Sequence, residues 1–502
     1  MKTSSILFAV LAWSLLILRF GYRFGTGDQV ELLPYTIYLH NPSLYIHDFF
    51  IQGLNASVPN ERTVMANILL PFQKYLEVIC LVLQFGSTVF LLLGLEKLAI
   101  RFIHNRYWSW LAILLALIVL NDFTLGNVDL YSECFQASGM AVALVIWAIH
   151  WFLNKKYLQS SILFSVSTFI QLLEGLDVMM VMSLLLLWSV WKRETPLKIW
   201  VGFVTIYAFT AGIYLVTIFM QKSISADISN QELFSILFQF RHPHHFIFSL
   251  FPLKKTLVFI ALAITSVWYF SSRSTTIFRF LLISISGLVI YIIAVDVFHL
   301  VFIGNFQFYK LTQWIKFLGV VAVAALLSGL FRLAALQFEK SCITIATICV
   351  WIFIIVFHRT LPYQVPFQLF DMKKEDELIS ICQEVQCQTP IDAVFIQPFE
   401  NTELKFYGQR SSYVEFKANV RNRRFVGEWY HRLKQVYQID TQTEVKGFEL
   451  QTLANNHFYH LTADELIKLK AAGVTHVLTR KEFPMASGAI IISNNSYAVY
   501  QL

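Results

Sequence analysis

About eleven long apolar segments divide the chain before residue 358, and they constrain its fold more than any other feature. A helix needs about 20 mostly apolar residues to cross the hydrocarbon core of a bilayer. The segments therefore predict a polytopic α-helical membrane protein. The predicted spans are residues 4–20, 75–94, 108–121, 138–153, 158–173, 176–191, 199–220, 255–270, 279–298, 311–331 and 341–357.

Composition excludes an ordinary soluble protein. Of the 502 residues, 56% are hydrophobic and 14% are charged, whereas a soluble globular chain carries about 25% charged residues. The net charge of +7 does not indicate nucleic-acid binding, because residues 358–502 hold 16 basic and 16 acidic residues. The excess lies before residue 358, with 23 basic and 16 acidic residues, and follows the charge bias of membrane proteins.

The connections between the predicted spans alternate in charge. With a cytoplasmic N-terminus, the inner connections carry nearly all the basic residues, and the short outer ones carry only Lys310. Cytoplasmic loops are enriched in Lys and Arg, so we predict a cytoplasmic N-terminus and an extracytoplasmic C-terminus. The first span should stay uncleaved, because bulky and basic residues follow it. The inner basic residues are Lys97, Arg101, Arg106, Lys155, Lys156, Lys192, Arg193, Lys198, Arg273, Arg279, Arg332 and Lys340.

Three predicted outer segments are long, and the last resembles a separate domain. The first long connection (residues 21–74) contains LPYTIYLHNPSLYIHDFFI, which is typical of a helix lying at a membrane interface. The second spans 221–252. The tail (358–502) alternates helical patterns with β-rich runs, which predicts a small extracytoplasmic α/β domain after a membrane domain of residues 1–357.

Three acids in the first long connection are candidate functional residues. Asp28 and Glu31 follow the first span closely, and Asp48 comes later in YIHDFF. An acid at a membrane surface can act as a general base or hold a divalent cation. The alternative interpretation is that these acids cap helices in a solvated loop.

A basic cluster precedes the eighth predicted span. Arg241, His242, His244 and His245 form the sequence RHPHH. Arginine offers a planar fork of donors, and histidine also donates, so the cluster suits a lipid phosphate or diphosphate. A metal site and an ordinary juxtamembrane polar belt are the alternatives. Arg62 is another predicted outer cation that suits a phosphate.

Other polar residues lie near the predicted span ends. Glu174 and Asp177 fall at an expected outer tip, where they either line a cavity or are solvated, and solvation is the preferred interpretation. Asp296 and His299 end the ninth span, with Lys310 beyond them. A disulfide between Cys382 and Cys387 is the less favoured interpretation, because their spacing on a predicted helix is poor for one.

This arrangement resembles the GT-C superfamily, integral membrane glycosyltransferases that use polyprenyl-phosphate-linked sugars. The key acid of that superfamily lies in the first outer loop, and Asp28 matches its position, with Glu31 beside it. Adjacent acids are common there, whereas the spacing here is Asp-x-x-Glu. An uncharacterised bacterial family of GT-C-like membrane proteins is also similar, in the segments GDQVELLPYTIYLHNPSLYIHDFF, RHPHH, TPIDAVFIQP, RSSYVEFK and EWYHRL.

The resemblance implies a glycosyltransferase of the bacterial inner membrane. It would move a sugar from a polyprenyl-phosphate donor to an envelope acceptor at the outer face. Asp28, Glu31 and Asp48 would be catalytic, with Asp28 as general base or as a ligand, with Glu31, of a divalent cation. The implied phosphate-binding residues are Arg62, Arg241, His242, His244, His245, His299 and Lys310.

Membrane lipid, a polyprenyl-phosphate-linked sugar and an envelope protein bound through the tail are the expected partners. Two alternatives remain: a non-catalytic GT-C-like scaffold, and a transporter of a lipid-linked substrate. A transporter should show charges near mid-span and interrupted helices in matched halves, and the sequence shows neither. A scaffold should tolerate the loss of Asp28 and of the RHPHH cluster.

Overall fold

The computed structural model describes residues 3–223, 228–333, 370–371 and 376–502. The predicted span 341–357, with Cys342 and Cys349, lies outside these residues. The described helices are α1 (Thr3–Phe20), α2 (Gln29–His40), α3 (Phe49–Asn55), α4 (Thr63–Leu69), α5 (Leu76–Ile103), α6 (Arg106–Leu114), α7 (Ala137–Leu153), α8 (Tyr157–Ile170), α9 (Leu172–Trp191), α10 (Leu197–Tyr207), α11 (Ile213–Ser223), α12 (Asn230–Phe234), α13 (Pro243–Phe246), α14 (Leu253–Ser271), α15 (Thr275–Ile292), α16 (Val301–Gly304), α17 (Thr312–Leu333), α18 (Glu377–Gln388), α19 (Arg423–Tyr437), α20 (Gln451–Phe458) and α21 (Ala463–Ala471).

Seven helical stretches within the described residues are long and apolar enough to cross a membrane: Thr3–Phe20, Thr63–Ile103, Leu172–Trp191, Leu197–Gln221, Leu253–Ser271, Thr275–Val297 and Val301–Phe331. Three shorter apolar helices, Arg106–Val119, Ala137–Leu153 and Tyr157–Ile170, accompany them. Each span predicted before residue 334 coincides with one of these ten. The protein is therefore an integral membrane protein, and the predicted fold class is confirmed.

The chain divides into two compact units. The membrane unit comprises Met1–Arg23, Cys80–Leu215 and His244–Asp371. In it α7, α8, α9 and α10 pack on one another, α14 packs on α17, and the short strands β1 (Tyr22–Arg23) and β2 (Phe370–Asp371) pair in parallel. The second, mixed unit comprises Phe24–Ile79, Val216–Pro243 and Met372–Leu502, so both long connections contribute to it.

A five-stranded sheet organises the tail. The strands are β3 (Val394–Ile396), β4 (Ser411–Ser412), β5 (His476–Arg480), β6 (Ala489–Ser493) and β7 (Tyr497–Gln501), in the order β4-β3-β5-β7-β6. The pairs of β3 with β4 and with β5 are parallel, and β7 pairs antiparallel with β5 and β6. Helix α18 packs its apolar face on this sheet through Ile381, Cys382 and Val385.

Most local predictions for the tail agree with these elements. The sequence places Glu465 three residues after Thr462, which predicts a capping box, and Thr462 begins α21 with that motif. The β-rich segment SSYVEFKA predicts a strand, and only its first two residues form one. The helix α20 was not predicted, because its sequence QTLANNHF lacks a clear apolar periodicity. Cys382 is buried, Cys387 is exposed, and no disulfide joins the two.

The first long connection is helical, as predicted, but α2 is not exposed at an interface. All ten residues from Gln29 to Tyr38 are buried. An interfacial helix needs one polar face, and α2 has none, so burial inside the mixed unit is the arrangement that its sequence favours. Helix α2 packs on α4 and on the π-helical segment Leu404–Gly408 of the tail.

A buried ion cluster joins the first long connection to the tail within the mixed unit. The ammonium of Lys405 lies 2.8 Å from Glu415 and 3.8 Å from Asp48, and all three side chains are at most 2% exposed. Asp48 accepts hydrogen bonds from the backbone N–H groups of Ile51 (2.9 Å) and Ser412 (2.8 Å). Every member of the cluster therefore has a partner of opposite charge or a hydrogen-bond donor.

The charges of the cluster depend on one another. Burial lowers the pKa of Lys405, but Asp48 and Glu415 outweigh burial, so the pKa is raised. Burial raises the pKa of the Glu415 carboxyl, although Lys405 opposes the change. A buried carboxylate that loses its cation is strongly destabilising.

We therefore predict that Lys405→Met destabilises the protein by about 3–5 kcal/mol, since it leaves two buried acids without their cation. The midpoint of thermal unfolding of the full chain in detergent measures this. The exposed Lys470→Met is the matched control and should leave the midpoint unchanged. Equal midpoints for the two variants would contradict a stabilising role for the cluster.

Candidate functional site

A glycine-bearing turn places Asp28 at the start of α2. Gly25 and Gly27 have φ angles of 70° and 60°, which favour glycine. The Gly25 N–H donates to the Gln29 side chain at 2.7 Å and closes the turn. Asp28 occupies the N-cap position of α2 and is half-buried, yet its side chain makes no capping hydrogen bond. Its carboxylate is therefore not committed to the helix end.

Glu31 lies one turn further along α2 and pairs with Arg62. The guanidinium of Arg62 donates to the Glu31 carboxylate, and the two side chains are 18% and 10% exposed. Arg62 is held at the start of α4, where its backbone N–H donates to Asn60 at 2.8 Å. The structure thus joins two predicted site residues that lie 31 positions apart.

Acidic charge dominates around Arg62. Burial acts most strongly and lowers the pKa of Arg62, but the carboxylates of Glu31, Asp28 and Glu61 together outweigh it and raise the pKa. Three acids thus face one guanidinium. Glu31 also acts on the cations Arg241 and Lys405, so these acids belong to a group of mixed charge within the mixed unit.

Arg241 lies in an aromatic pocket of the mixed unit. It is 1% exposed, and its guanidinium carbon is 4.5 Å from the ring centre of Phe416, 5.9 Å from that of Trp429 and 5.7 Å from that of Phe448. It donates to the Lys417 carbonyl at 2.6 Å. Its Nε has no partner, and among the described residues no carboxylate lies within ion-pair distance.

The charge of Arg241 is incompletely compensated. Burial lowers its pKa to about 9, Glu31 opposes this, and Arg421 adds to it. Because the Glu31 carboxylate acts on both Arg62 and Arg241, the mixed unit brings the predicted acids and two predicted phosphate-binding arginines within electrostatic range. The aromatic residues around Arg241 were not predicted, since nothing in their spacing marks a pocket.

The RHPHH segment runs from the mixed unit, which holds Arg241 and His242, into the membrane unit, which holds His244 and His245. His242 lies 3.3 Å from Arg241 through Nδ1. In the membrane unit, the rings of His244 and His245 lie 4.2 Å apart, and His245 Nδ1 donates to the Gly126 carbonyl at 2.7 Å. That bond fixes the tautomer of His245, which leaves Nε2 as its acceptor nitrogen.

Two further predicted phosphate-binding residues lie in the membrane unit. Lys310 is 9% exposed and pairs with Glu174 at 2.6 Å. His299 is exposed and has a left-handed backbone, with φ of 52°. Glu174 and Asp177 are 2% and 0% exposed, so the preferred interpretation of a solvated turn is wrong for both.

The acid pair does not fit a dedicated divalent-cation site. One oxygen of Glu31 already accepts from Arg62, so a cation between Asp28 and Glu31 would compete with a guanidinium. Magnesium and calcium ions take six or more oxygen ligands, and an arginine beside them is unfavourable.

Comparisons with known proteins show what the chain is similar to. A family model described as a domain of unknown function (DUF6798) matches residues 376–436, a small part of the chain that includes Lys405 and Glu415. No curated protein matches. Among solved structures, the chain is similar to the crystal structure of ArnT from Cupriavidus metallidurans bound to undecaprenyl phosphate, at 12% identity over 99% of this chain and 97% of that chain, with a TM-score of 0.47.

Proposed function

We propose that this protein is a membrane glycosyltransferase of GT-C type. It moves a sugar from a polyprenyl-phosphate donor to an envelope acceptor at the outer face of the bacterial inner membrane. The observation that carries the proposal is Arg241, a buried guanidinium with a free Nε and no acidic partner among the described residues. Such a group is costly unless it meets an anion during function.

Asp28 is the proposed general base. It is half-buried, it makes no capping bond, and it faces the same positive charge as Glu31. It would accept a proton from the acceptor hydroxyl while the bond between the sugar and the phosphate breaks. Glu31 and Arg62 would position it, since Arg62 holds α4 and α2 together through this ion pair.

Arg241 is the proposed ligand of the leaving phosphate. Negative charge builds up on the phosphate in the transition state, and a preorganised guanidinium stabilises it strongly in a water-poor site. The three aromatic rings fix the plane of Arg241 without neutralising its charge. Asp48 is assigned a structural role instead, because its carboxylate is fully buried and both its oxygens are engaged.

The predicted orientation has a direct test. In a variant whose six native cysteines are replaced by serine, Ala472→Cys in the tail and Ser272→Cys after α14 each introduce one exposed thiol. A membrane-impermeant maleimide added to intact spheroplasts should label the first and not the second. Labelling of Ser272→Cys alone would reverse the topology and exclude chemistry by the mixed unit at the outer face.

Asp28→Asn should lower turnover by on the order of a hundredfold or more, as for the loss of a general base. The side chain keeps its shape, so the protein level and the melting temperature should stay unchanged. Release of polyprenyl phosphate from a panel of polyprenyl-phosphate hexoses by purified protein measures this. Asp464→Asn, at an exposed acid in the first turn of α21, is the matched control.

Two results would count against the base assignment. Full turnover in Asp28→Asn and in the double variant Asp28→Asn, Glu31→Gln would favour the scaffold interpretation, in which these acids only stabilise α2. Failure of the single variant to accumulate would make Asp28 a folding residue.

Arg241→Met removes the charge and keeps an apolar side chain among the three rings. We expect affinity for polyprenyl phosphate to fall about tenfold or more, since a charge-assisted hydrogen bond contributes about 1.5–3 kcal/mol. The melting temperature should rise, because an uncompensated buried charge is removed. The affinity of Arg241→Lys for polyprenyl phosphate should lie between those of the wild type and Arg241→Met. Arg424→Ala, at an exposed arginine, is the control.

Lipid binding measured by intrinsic fluorescence, together with thermal unfolding, distinguishes the outcomes. A lower melting temperature with unchanged affinity would show that Arg241 only stabilises the aromatic packing.

A further inference from the structure

A second buried polar cluster lies in the membrane unit, and the roles proposed above for Asp28 and Arg241 do not involve it. Glu174 and Asp177 belong to α9, Lys310 to the short 3-10 turn Phe308–Leu311, and Gln313 to the first turn of α17. All four side chains belong to residues that are at most 9% exposed.

Glu174 is fully engaged. One of its carboxylate oxygens accepts from the Lys310 ammonium at 2.6 Å, and the other accepts from the Gln313 amide at 2.8 Å. The charges of Lys310 and Glu174 therefore neutralise each other, so the pair as a whole has no net charge.

Asp177 is different. It is 0% exposed, and neither of its carboxylate oxygens has a hydrogen-bond partner in the part of the chain that the structure describes. Its charged neighbours are Lys310 and Glu174, whose effects on it oppose each other. From α10 it faces Tyr207, whose hydroxyl is already bonded to Thr168 at 2.8 Å.

The helices around Asp177 are closely packed. A Cβ atom at Gly175 would lie 2.3 Å from Thr168 Oγ1 and 2.5 Å from the Phe164 carbonyl oxygen, so α8 and α9 touch through their backbones. A tight helix contact gives the carboxylate little freedom to turn toward a distant donor.

An ionised carboxylate in this setting would be very unfavourable. Moving one out of water without a partner costs several kcal/mol even after relaxation. With Asp177 ionised, the cluster of Asp177, Glu174 and Lys310 would carry one net negative charge. With Asp177 protonated it is neutral, and no further group is needed.

We propose that Asp177 is a proton-binding site of the membrane unit. The proton comes from water and rests on one carboxyl oxygen, and Glu174 stays ionised against Lys310. The charge of this part of the protein is thus set by one exchangeable proton. The proposal does not depend on the glycosyltransferase assignment.

Infrared spectra of the purified full chain at neutral pH test the proposal. The wild type should show the carbonyl stretch of a protonated carboxylic acid, and Asp177→Asn should lose it. Asp122→Asn is the control, because Asp122 is 53% exposed and paired with Lys255, so it should leave the band intact. The melting temperature of Asp177→Asn should match the wild type, since asparagine is also neutral.

Glu174→Gln gives a second readout if Asp177→Asn does not accumulate. Lys310 then lacks its counter-ion, and Asp177 should ionise in its place, so the same band should vanish. A band of unchanged intensity in either variant would overturn the proposal. A second result would also overturn it: a wild-type melting temperature that is higher in sodium chloride than in choline chloride, with no such difference in Asp177→Asn. That result would mean that Asp177 binds a sodium ion and not a proton.

Discussion

The Lys405 ammonium is the interaction on which the mixed unit depends. It lies between Glu415 of the tail and Asp48 of the first long connection, two segments separated by more than 360 positions. The π-helical segment that carries Lys405 also packs on α2, the helix that Asp28 begins. The placement of Asp28 therefore depends on packing that this buried ion cluster holds in place. The breadth of this network supports the structural role proposed for Asp48.

Local sequence patterns predicted many of the helices and strands of this protein. They predicted few of the contacts between residues that are distant in the sequence. Apolar length located each span before residue 334, and the Thr462–Glu465 capping box located a helix start. Neither kind of signal shows which distant segments meet. The pairing of Glu31 with Arg62 and the rings around Arg241 depend on tertiary packing, which leaves no periodic trace in a single sequence. The same limit explains the error at Glu174 and Asp177, where a solvated turn was expected and burial was found.

Two arginines of the mixed unit lie in environments that shift their pKa values in opposite directions. Arg62 faces three acids, and its pKa is raised, whereas Arg241 faces aromatic rings, and its pKa is lowered. The first arrangement stabilises the folded chain, and the second costs stability. Natural proteins retain such costly groups where function requires them, because selection removes only variants that fall below a stability threshold. This contrast supports the proposed division of roles, in which Arg62 positions the base and Arg241 binds the phosphate.

The three-segment origin of the mixed unit has a consequence for biosynthesis. Helix α2 is translated more than 360 residues before Leu404–Gly408, the segment on which it packs. During this interval α2, whose residues Gln29–Tyr38 are all buried in the finished protein, lacks that segment. Exposed apolar surface on an incomplete chain invites aggregation. The intervening helices must be translated first. Until then, the first long connection needs a chaperone or the lipid surface to shield it.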